Sequence, residues 1–270
     1  MNDVIRYYSA FDEWGRLDRE PLEYLVNWHY IRKHLPKAGR VLDNGAGPGK
    51  YAMALASEGY RMTLTDLTPR LVEQAEVKAK ELALHDRFEG FYARDARQLE
   101  GIPSSHYDAA LMLGPLYHLQ TEEDRTAAMQ ELYRVTKPGG VVCIALMTRI
   151  RKLQTALQYP EVWRPLDHMA SIDAFLENGV FDHQDAGRFT GAYFYPLEEI
   201  KPFMALNGFE TIELIGSSSI AGRFSEENWN YWRGRGEDEF ERMMELIYHY
   251  AADPSILGVS SHLLYIGRKR

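Results

Sequence analysis

Cysteine is nearly absent: Cys143 is the single one among 270 residues, so no disulfide can form within one chain. It lies in the apolar run Val141 to Met147, where a small core residue fits. The lack of a disulfide framework suits a reducing compartment. Long hydrophobic runs are missing too, and none approaches the roughly 20 residues that a membrane-spanning helix needs. The opening Met1-Asn2-Asp3-Val4 has neither the basic start nor the apolar core of a secretory signal, and the expected location is cytoplasmic. Positive charge is in deficit, 31 Lys and Arg against 39 Asp and Glu, for a formal charge of −8. That field repels a polyanion. The one basic run, Arg268-Lys269-Arg270, reads as a solvated chain end, so neither a nucleic-acid partner nor a membrane is expected. No Cys/His group has the spacing of metal ligands, which leaves no metal expected. Internal repeats and low-complexity segments are also missing.

What is present is an ordinary globular composition, 45% hydrophobic and 26% charged, on a chain long enough for one large α/β domain with additions or for two modest ones. The chain is organised around Arg40-Val41-Leu42-Asp43-Asn44-Gly45-Ala46-Gly47-Pro48-Gly49-Lys50-Tyr51. Val41 and Leu42 read as the buried end of a strand, and Tyr51 to Glu58 as the first turns of a helix. Between them glycine recurs at every second position. Glycine has no Cβ, so the backbone can take positive φ and a ligand can lie against the main chain. A strand, a tight glycine turn and a helix N-terminus together form a cradle for a nucleoside cofactor. A plain strand-to-helix turn also uses glycine, so the rest of the chain has to agree.

It does. A second strand, Arg61 to Thr65, ends at Asp66, about twenty residues past the first glycine, where nucleotide folds set a carboxylate against ribose hydroxyls. Thr68-Pro69 has the form of an N-cap with proline at the first helical position. A third strand, Phe88 to Ala93, closes on Asp95-Ala96, where an adenine amino group would be a suitable donor; a plain turn aspartate is the alternative. The fourth strand, Tyr107 to Leu113, is apolar throughout, as in sheets covered on both faces, and breaks at Gly114-Pro115-Leu116-Tyr117-His118-Leu119. A helix starts at Thr121 with three acids in its first turn. Lys137-Pro138-Gly139-Gly140 stops it and turns into the strand Val141 to Met147. Residues 150–188 read as a helical insertion over the ligand edge of the sheet, and Phe189 to Tyr195 as strand-like. A short helix limited by Pro202 follows and ends at Asn207-Gly208. Phe209 to Ile215 is the sixth strand. Residues 216–236 read as loop, Glu237 to Ala252 as an amphipathic helix, and His262 to Gly267 as the seventh strand. The aromatic-rich residues 4–35 read as helix, packed on the core or lying over the cofactor.

The run Asp43 to Gly49, Asp66, Asp95-Ala96 and Lys137-Pro138-Gly139-Gly140, each in its place relative to the strands, resembles class I S-adenosylmethionine-dependent methyltransferases. The N-terminal region and the Leu113 to Leu119 loop look like the bacterial small-molecule enzymes of the quinone-biosynthesis type (type 11). The likeness covers roughly half the chain. It implies a doubly wound, Rossmann-like α/β sheet of seven strands, mostly parallel, with the last strand inserted antiparallel beside the fifth. It also implies S-adenosyl-L-methionine as cofactor, S-adenosyl-L-homocysteine as product and a small-molecule methyl acceptor. The cofactor-binding residues it points to are Asp43, Gly45, Ala46, Gly47, Gly49, Asp66, Leu67, Asp95, Ala96 and Leu113. The expected division is an N-terminal helical lid or packing segment at 1–37, the cofactor core at 38–149, a cap at 150–188, and completion of the sheet at 189–270 with an inserted loop and helix at 216–260.

A nicotinamide dinucleotide is the nearest rival cofactor. Its fingerprint spaces glycines as Gly-x-Gly-x-x-Gly; here they stand at 45, 47 and 49, one residue too tight, and Asp95-Ala96 would have no task. For methyl transfer His118 is the candidate base, and Tyr117 shapes the pocket or binds the acceptor; a histidine there equally suits cofactor contact or packing. Aromatics in the cap, among them Tyr159, Trp163, Phe175, Tyr193, Phe194, Tyr195, Trp229 and Trp232, would line an apolar pocket or fill a secondary core. The competing functions are a cofactor-binding sensor that performs no transfer and a nucleic-acid or protein methyltransferase. The oligomeric state is not legible.

Overall fold

The computed structural model describes residues 3–10, 14–15, 21–183 and 191–270. Helices α1 (Asp3–Ala10) and α2 (Pro21–His34) precede strand β1 (Arg40–Asn44). There follow α3 (Lys50–Ser57), β2 (Arg61–Asp66), α4 (Pro69–Glu81), β3 (Phe88–Ala93), β4 (Tyr107–Met112), the one-turn helix α5 (Pro115–His118), α6 (Glu122–Val135) and β5 (Thr136–Leu146). Next come α7 (Arg149–Gln158), α8 (Met169–Asn178), the short pair β6 (Val180–Phe181) and β7 (Ala192–Tyr193), and α9 (Leu197–Leu206). The chain closes with β8 (Phe209–Gly216), α10 (Glu226–Gly234), α11 (Glu237–Tyr250), α12 (Pro254–Leu257) and β9 (Leu263–Lys269).

Seven strands form one sheet in the order β3-β2-β1-β4-β5-β9-β8. β1 to β5 pair in parallel, and β9 runs antiparallel between β5 and β8. This is the doubly wound, Rossmann-like architecture expected from the sequence, with the last strand inserted as the resemblance implies. The strand order reverses between β1 and β4, and a crevice opens at such a switch point beyond the carboxyl ends of the strands.

Successive strand residues point to opposite faces, and the sequence supplies apolar groups for both. Val41, Leu111, Cys143 and Ile266 join one layer with α2, α3, α4 and α11. Leu42, Met112, Val142, Ile144 and Tyr265 join the other, with α6 and α9. A third, smaller cluster lies among residues 156–194, where Phe175, Phe181 and Phe194 pack with Ala156, Leu166 and Ile172, and Trp163 lies against them. No helix among the described residues is long and apolar enough to cross a membrane.

Three local readings change. Residues 216–236 are not all loop: Ser225 accepts from the Asn228 amide while the Asn228 side chain accepts from the Ser225 amide, and this reciprocal cap starts α10. As expected, α9 takes in Pro202 and runs to Leu206 before the Asn207-Gly208 stop, with Gly208 at φ 85°. Lys137-Pro138-Gly139-Gly140 lies within β5 as a bulge, since Tyr107 pairs with Thr136 but Ala109 pairs with Val141. β4 ends at Met112, so Leu113 already belongs to the loop. Of the strand-like Phe189 to Tyr195, Phe189 and Thr190 lie outside the described residues, and β7 is confined to Ala192–Tyr193.

β9 holds the sheet's two halves together through Ile266, which is fully buried and pairs with Cys143 of β5 and Glu213 of β8. Ile266→Ala is expected to cost about 2–5 kcal/mol through lost burial and the cavity left behind. Urea unfolding measures it, and a midpoint equal to that of the parent chain would contradict this packing.

Candidate functional site

The glycine turn leaves β1 by a lash to the neighbouring strand. Gly45 and Ala46 both donate their amides to the Thr65 carbonyl, at 2.8 and 3.0 Å, and Thr65 Oγ1 donates to Asn44 Oδ1 at 3.0 Å. Gly45 and Gly47 sit at φ 76° and 57°, a region that L side chains rarely adopt. A Cβ at Gly45 would also overlap the ring of Pro115, so the turn and α5 approach each other through the missing side chain.

Asp66, at the tip of β2, draws this turn inward. Its Oδ2 accepts the Gly47 amide and its Oδ1 the Thr68 amide, both at 2.8 Å. Thr68 precedes α4 with its side chain making no capping bond. Burial raises the Asp66 carboxyl above its ordinary value, and the amides of Thr68 and Gly47 pull part of the way back. Asp43, fully buried beside it, is pushed up to about 7 by burial first and by the Asp66 charge second. Asp95, beyond β3, differs. Burial alone would raise it, yet the Arg97 guanidinium grips both its oxygens, at 3.0 and 2.6 Å, and holds it below the ordinary carboxylate value. Arg97 also donates to Asp124 Oδ1 at 2.7 Å and so ties the β3 tip to α6.

These groups surround one cavity of about 440 Å³, within the range of small-molecule sites. Asp43, Gly45, Ala46, Gly47, Asp66, Leu67, Asp95, Ala96, Leu113, Tyr117 and His118 all line it. Gly49 does not. It turns toward the α4 packing layer, where an added Cβ would meet Leu64 at 2.8 Å and Ala75 at 3.5 Å; at φ 84° it serves the start of α3. The aromatics expected in the cap stand apart from the cavity as well. Phe175, Phe194 and Trp163 build a core of their own, Trp229 and Trp232 pack on the main one, and Tyr159 is exposed. The aromatic wall is Tyr8, Tyr51 and Tyr117 instead.

Several lining residues escaped the sequence reading: Tyr8 from α1, Glu23 and Asn27 from α2, Lys50, Arg97 and Asp182. Asn27 is buried, and its Oδ1 has no hydrogen-bond partner, an orphaned acceptor in the cavity wall. Glu23 Oε2 lies 2.9 Å from His262 Nδ1. Helical spacing within residues 21–34 was legible, but which polar residue faces the crevice depends on how α2 crosses the sheet. At the opposite wall His118 Nε2 is 3.0 Å from the Tyr8 hydroxyl and its Nδ1 is 3.4 Å from the Gly191 carbonyl.

Residues 41–140 match the methyltransferase domain family. Over 118 residues the chain is 36% identical to an S-adenosyl-L-methionine-dependent Diels-Alderase of Talaromyces variabilis, covering 44% of this chain and 38% of that protein. Over 154 residues it is 27% identical to a ubiquinone biosynthesis O-methyltransferase of Xanthomonas oryzae pv. oryzae, covering 55% and 62%. The chain thus spans less than two thirds of the length of these curated relatives. A solved SAM-dependent methyltransferase from Methanosarcina mazei shares the fold, with a TM-score of 0.59 at 19% identity over 89% of this chain and 96% of that one. Residues 41–140 thus carry a methyltransferase domain, set in a fold shared with S-adenosylmethionine-dependent methyltransferases. The residues present fit that cofactor: glycines at positive φ, buried carboxylates at two strand tips and the free acceptor of Asn27 face one space of suitable size.

Asp43 also makes the site's charge measurable. A carboxyl whose folded value lies above its unfolded one costs nothing while protonated, and it destabilises the fold as pH rises through about 4 to 7. Asp43→Asn is therefore expected to be more stable than the parent above pH 7, by at most about 4 kcal/mol for a carboxyl pushed up to about 7. The two should converge below pH 4. Urea midpoints across that range read the gap, and a gap independent of pH would remove Asp43 as its source.

Proposed function

We propose that this protein transfers a methyl group from S-adenosylmethionine to a small-molecule acceptor. The observation that carries the reading is the convergence of the β1 turn, Asp66 and Asp95-Ala96 on one cavity. When bound, the cofactor supplies a methyl carbon activated by its sulfonium charge. The chain's own task is then to align, to exclude water and to handle a proton; alignment of this kind is worth about 7–11 kcal/mol of a barrier.

In this reading Gly45, Ala46 and Gly47 lie along the methionine portion, and the Asn27 and Glu23 oxygens accept from its ammonium group. Each Asp66 oxygen keeps a second lone pair beyond its backbone bond, and these accept from the ribose hydroxyls. Asp95 keeps the adenine edge with the lone pairs that Arg97 leaves over, while Ala96 and Leu67 supply apolar contact. Leu113, Tyr117 and His118 close the acceptor side. A small acceptor is supported by the net charge of −8, which repels a polyanion, and by the O-methyltransferase among the relatives.

A second reading keeps the cofactor bound without transfer. The 36% likeness to an S-adenosyl-L-methionine-dependent Diels-Alderase favours it.

Calorimetric titration of the full chain with S-adenosylhomocysteine is expected to give saturable binding. Asp66→Ala should weaken it by about 1.5–3 kcal/mol, roughly 10- to 150-fold; an unchanged Kd takes Asp66 out of the site. Incubation with methyl-tritiated S-adenosylmethionine and small acceptors separates the two readings, since binding without label transfer to any acceptor favours the second.

A further inference from the structure

The Tyr8–His118 contact joins residues 110 positions apart, one on α1 and one at the end of α5, both of which line the cavity. A carbonyl oxygen only accepts, so the 3.4 Å approach of Nδ1 to the Gly191 carbonyl puts the neutral imidazole's proton on Nδ1. Nε2 is then the acceptor, and the Tyr8 hydroxyl donates to it at 3.0 Å. The rings meet edge to face at 5.6 Å, which fixes their mutual orientation. With Nε2 already bonded to the Tyr8 hydroxyl, a proton reaches His118 by way of Tyr8, and both residues line the cavity.

From this we infer that Tyr8 is the catalytic residue that touches the methyl acceptor, with His118 the base behind it, and that the acceptor brings a proton on oxygen or nitrogen. The inference rests on the methyl-transfer reading above. As the acceptor's heteroatom–carbon bond forms, its bond to hydrogen breaks and that proton goes to Tyr8 Oη. The proton of Tyr8 passes to His118 Nε2, and Nδ1–H stays on the Gly191 carbonyl. The carbon–sulfur pair remains on sulfur. The positive charge of the sulfonium is thereby replaced by that of an imidazolium, so no net charge is created in the site. A thiolate or a carbanion carries no such proton and would leave the relay idle. Hydroxyl compounds and neutral amines are the classes it serves directly, and a protonated amine first passes one proton into the relay to free the lone pair that attacks.

The test needs no acceptor at first. Nitrogen-15 spectra of the full chain are expected to show neutral His118 protonated at Nδ1, with a hydrogen-bonded lone pair on Nε2. In Tyr8→Phe the Nε2 resonance should move while Nδ1 stays protonated. The cavity's carboxylates, Glu23, Asp124 and Asp182 among them, are common to both proteins, so the difference isolates the phenol. Thermal unfolding checks that the variant folds. If it does not, the parent spectrum still decides, because a proton on Nε2 overturns the relay. So does an Nε2 resonance unmoved by Tyr8→Phe. In turnover with labelled cofactor over simple phenols, primary amines and thiols, Tyr8→Phe should lose roughly 10²-fold or more in kcat on any hydroxyl or amine acceptor. Equal kcat, or a product formed from thiols only, overturns it. S-adenosylhomocysteine binding by the parent chain tests the underlying reading separately, since a protein that binds it but shows the other tautomer keeps the cofactor and loses the relay.

Discussion

The contact on which the site depends is the one between the tip of β2 and the turn after β1. Thr65 offers its carbonyl to two successive amides, and Asp66 offers a carboxylate oxygen to the next one along. Three consecutive residues of the turn, Gly45 to Gly47, are held to a single neighbouring strand. Parallel pairing aligns Asn44 with Thr65 and so sets the register in which this can happen. The glycines let the chain turn, and the lash decides where it turns. Pro115 then closes over Gly45 from the β4 side, so the cavity floor is built from three adjacent strands.

Charge is the second constraint. Asp43 and Asp66 are buried side by side with carboxyls raised by burial and, for Asp43, by each other's field. Two such groups make a poor hydrophobic core and a good place for a ligand that carries positive charge. Asp95 is handled differently, because Arg97 neutralises it and anchors it to α6 through Asp124. The cavity is therefore graded: uncompensated acid near the glycine turn and a paired acid at the β3 tip. A cationic cofactor with a neutral purine end matches that gradient.

Most of the sheet could be read from the chain because the strands obey two-residue alternation on both faces, and Val41 and Leu42 go to opposite layers as that pattern requires. The misreadings share a cause, which is that non-local contacts outweighed local preference. Gly49, read with its neighbours as a ligand contact, is needed by the close passage of Leu64 instead. Among the aromatics expected to line a pocket, Phe175, Phe194 and Trp163 pack in a core of their own, while Tyr193, Tyr195, Trp229 and Trp232 join the main layers, so none of them forms a wall.

The sequence by itself determined the fold class, the turn and the order in which its carboxylates follow the strands, since all of these rest on local periodicity and on residues whose backbone freedom or charge is intrinsic. Tertiary structure alone decided that Tyr8 reaches His118, that Arg97 reaches Asp124 of α6, and that Asn27 is left with an unmatched oxygen. Each of those depends on the angle at which a helix crosses the sheet, and that angle is set by packing against residues distant in the chain, which no local pattern encodes.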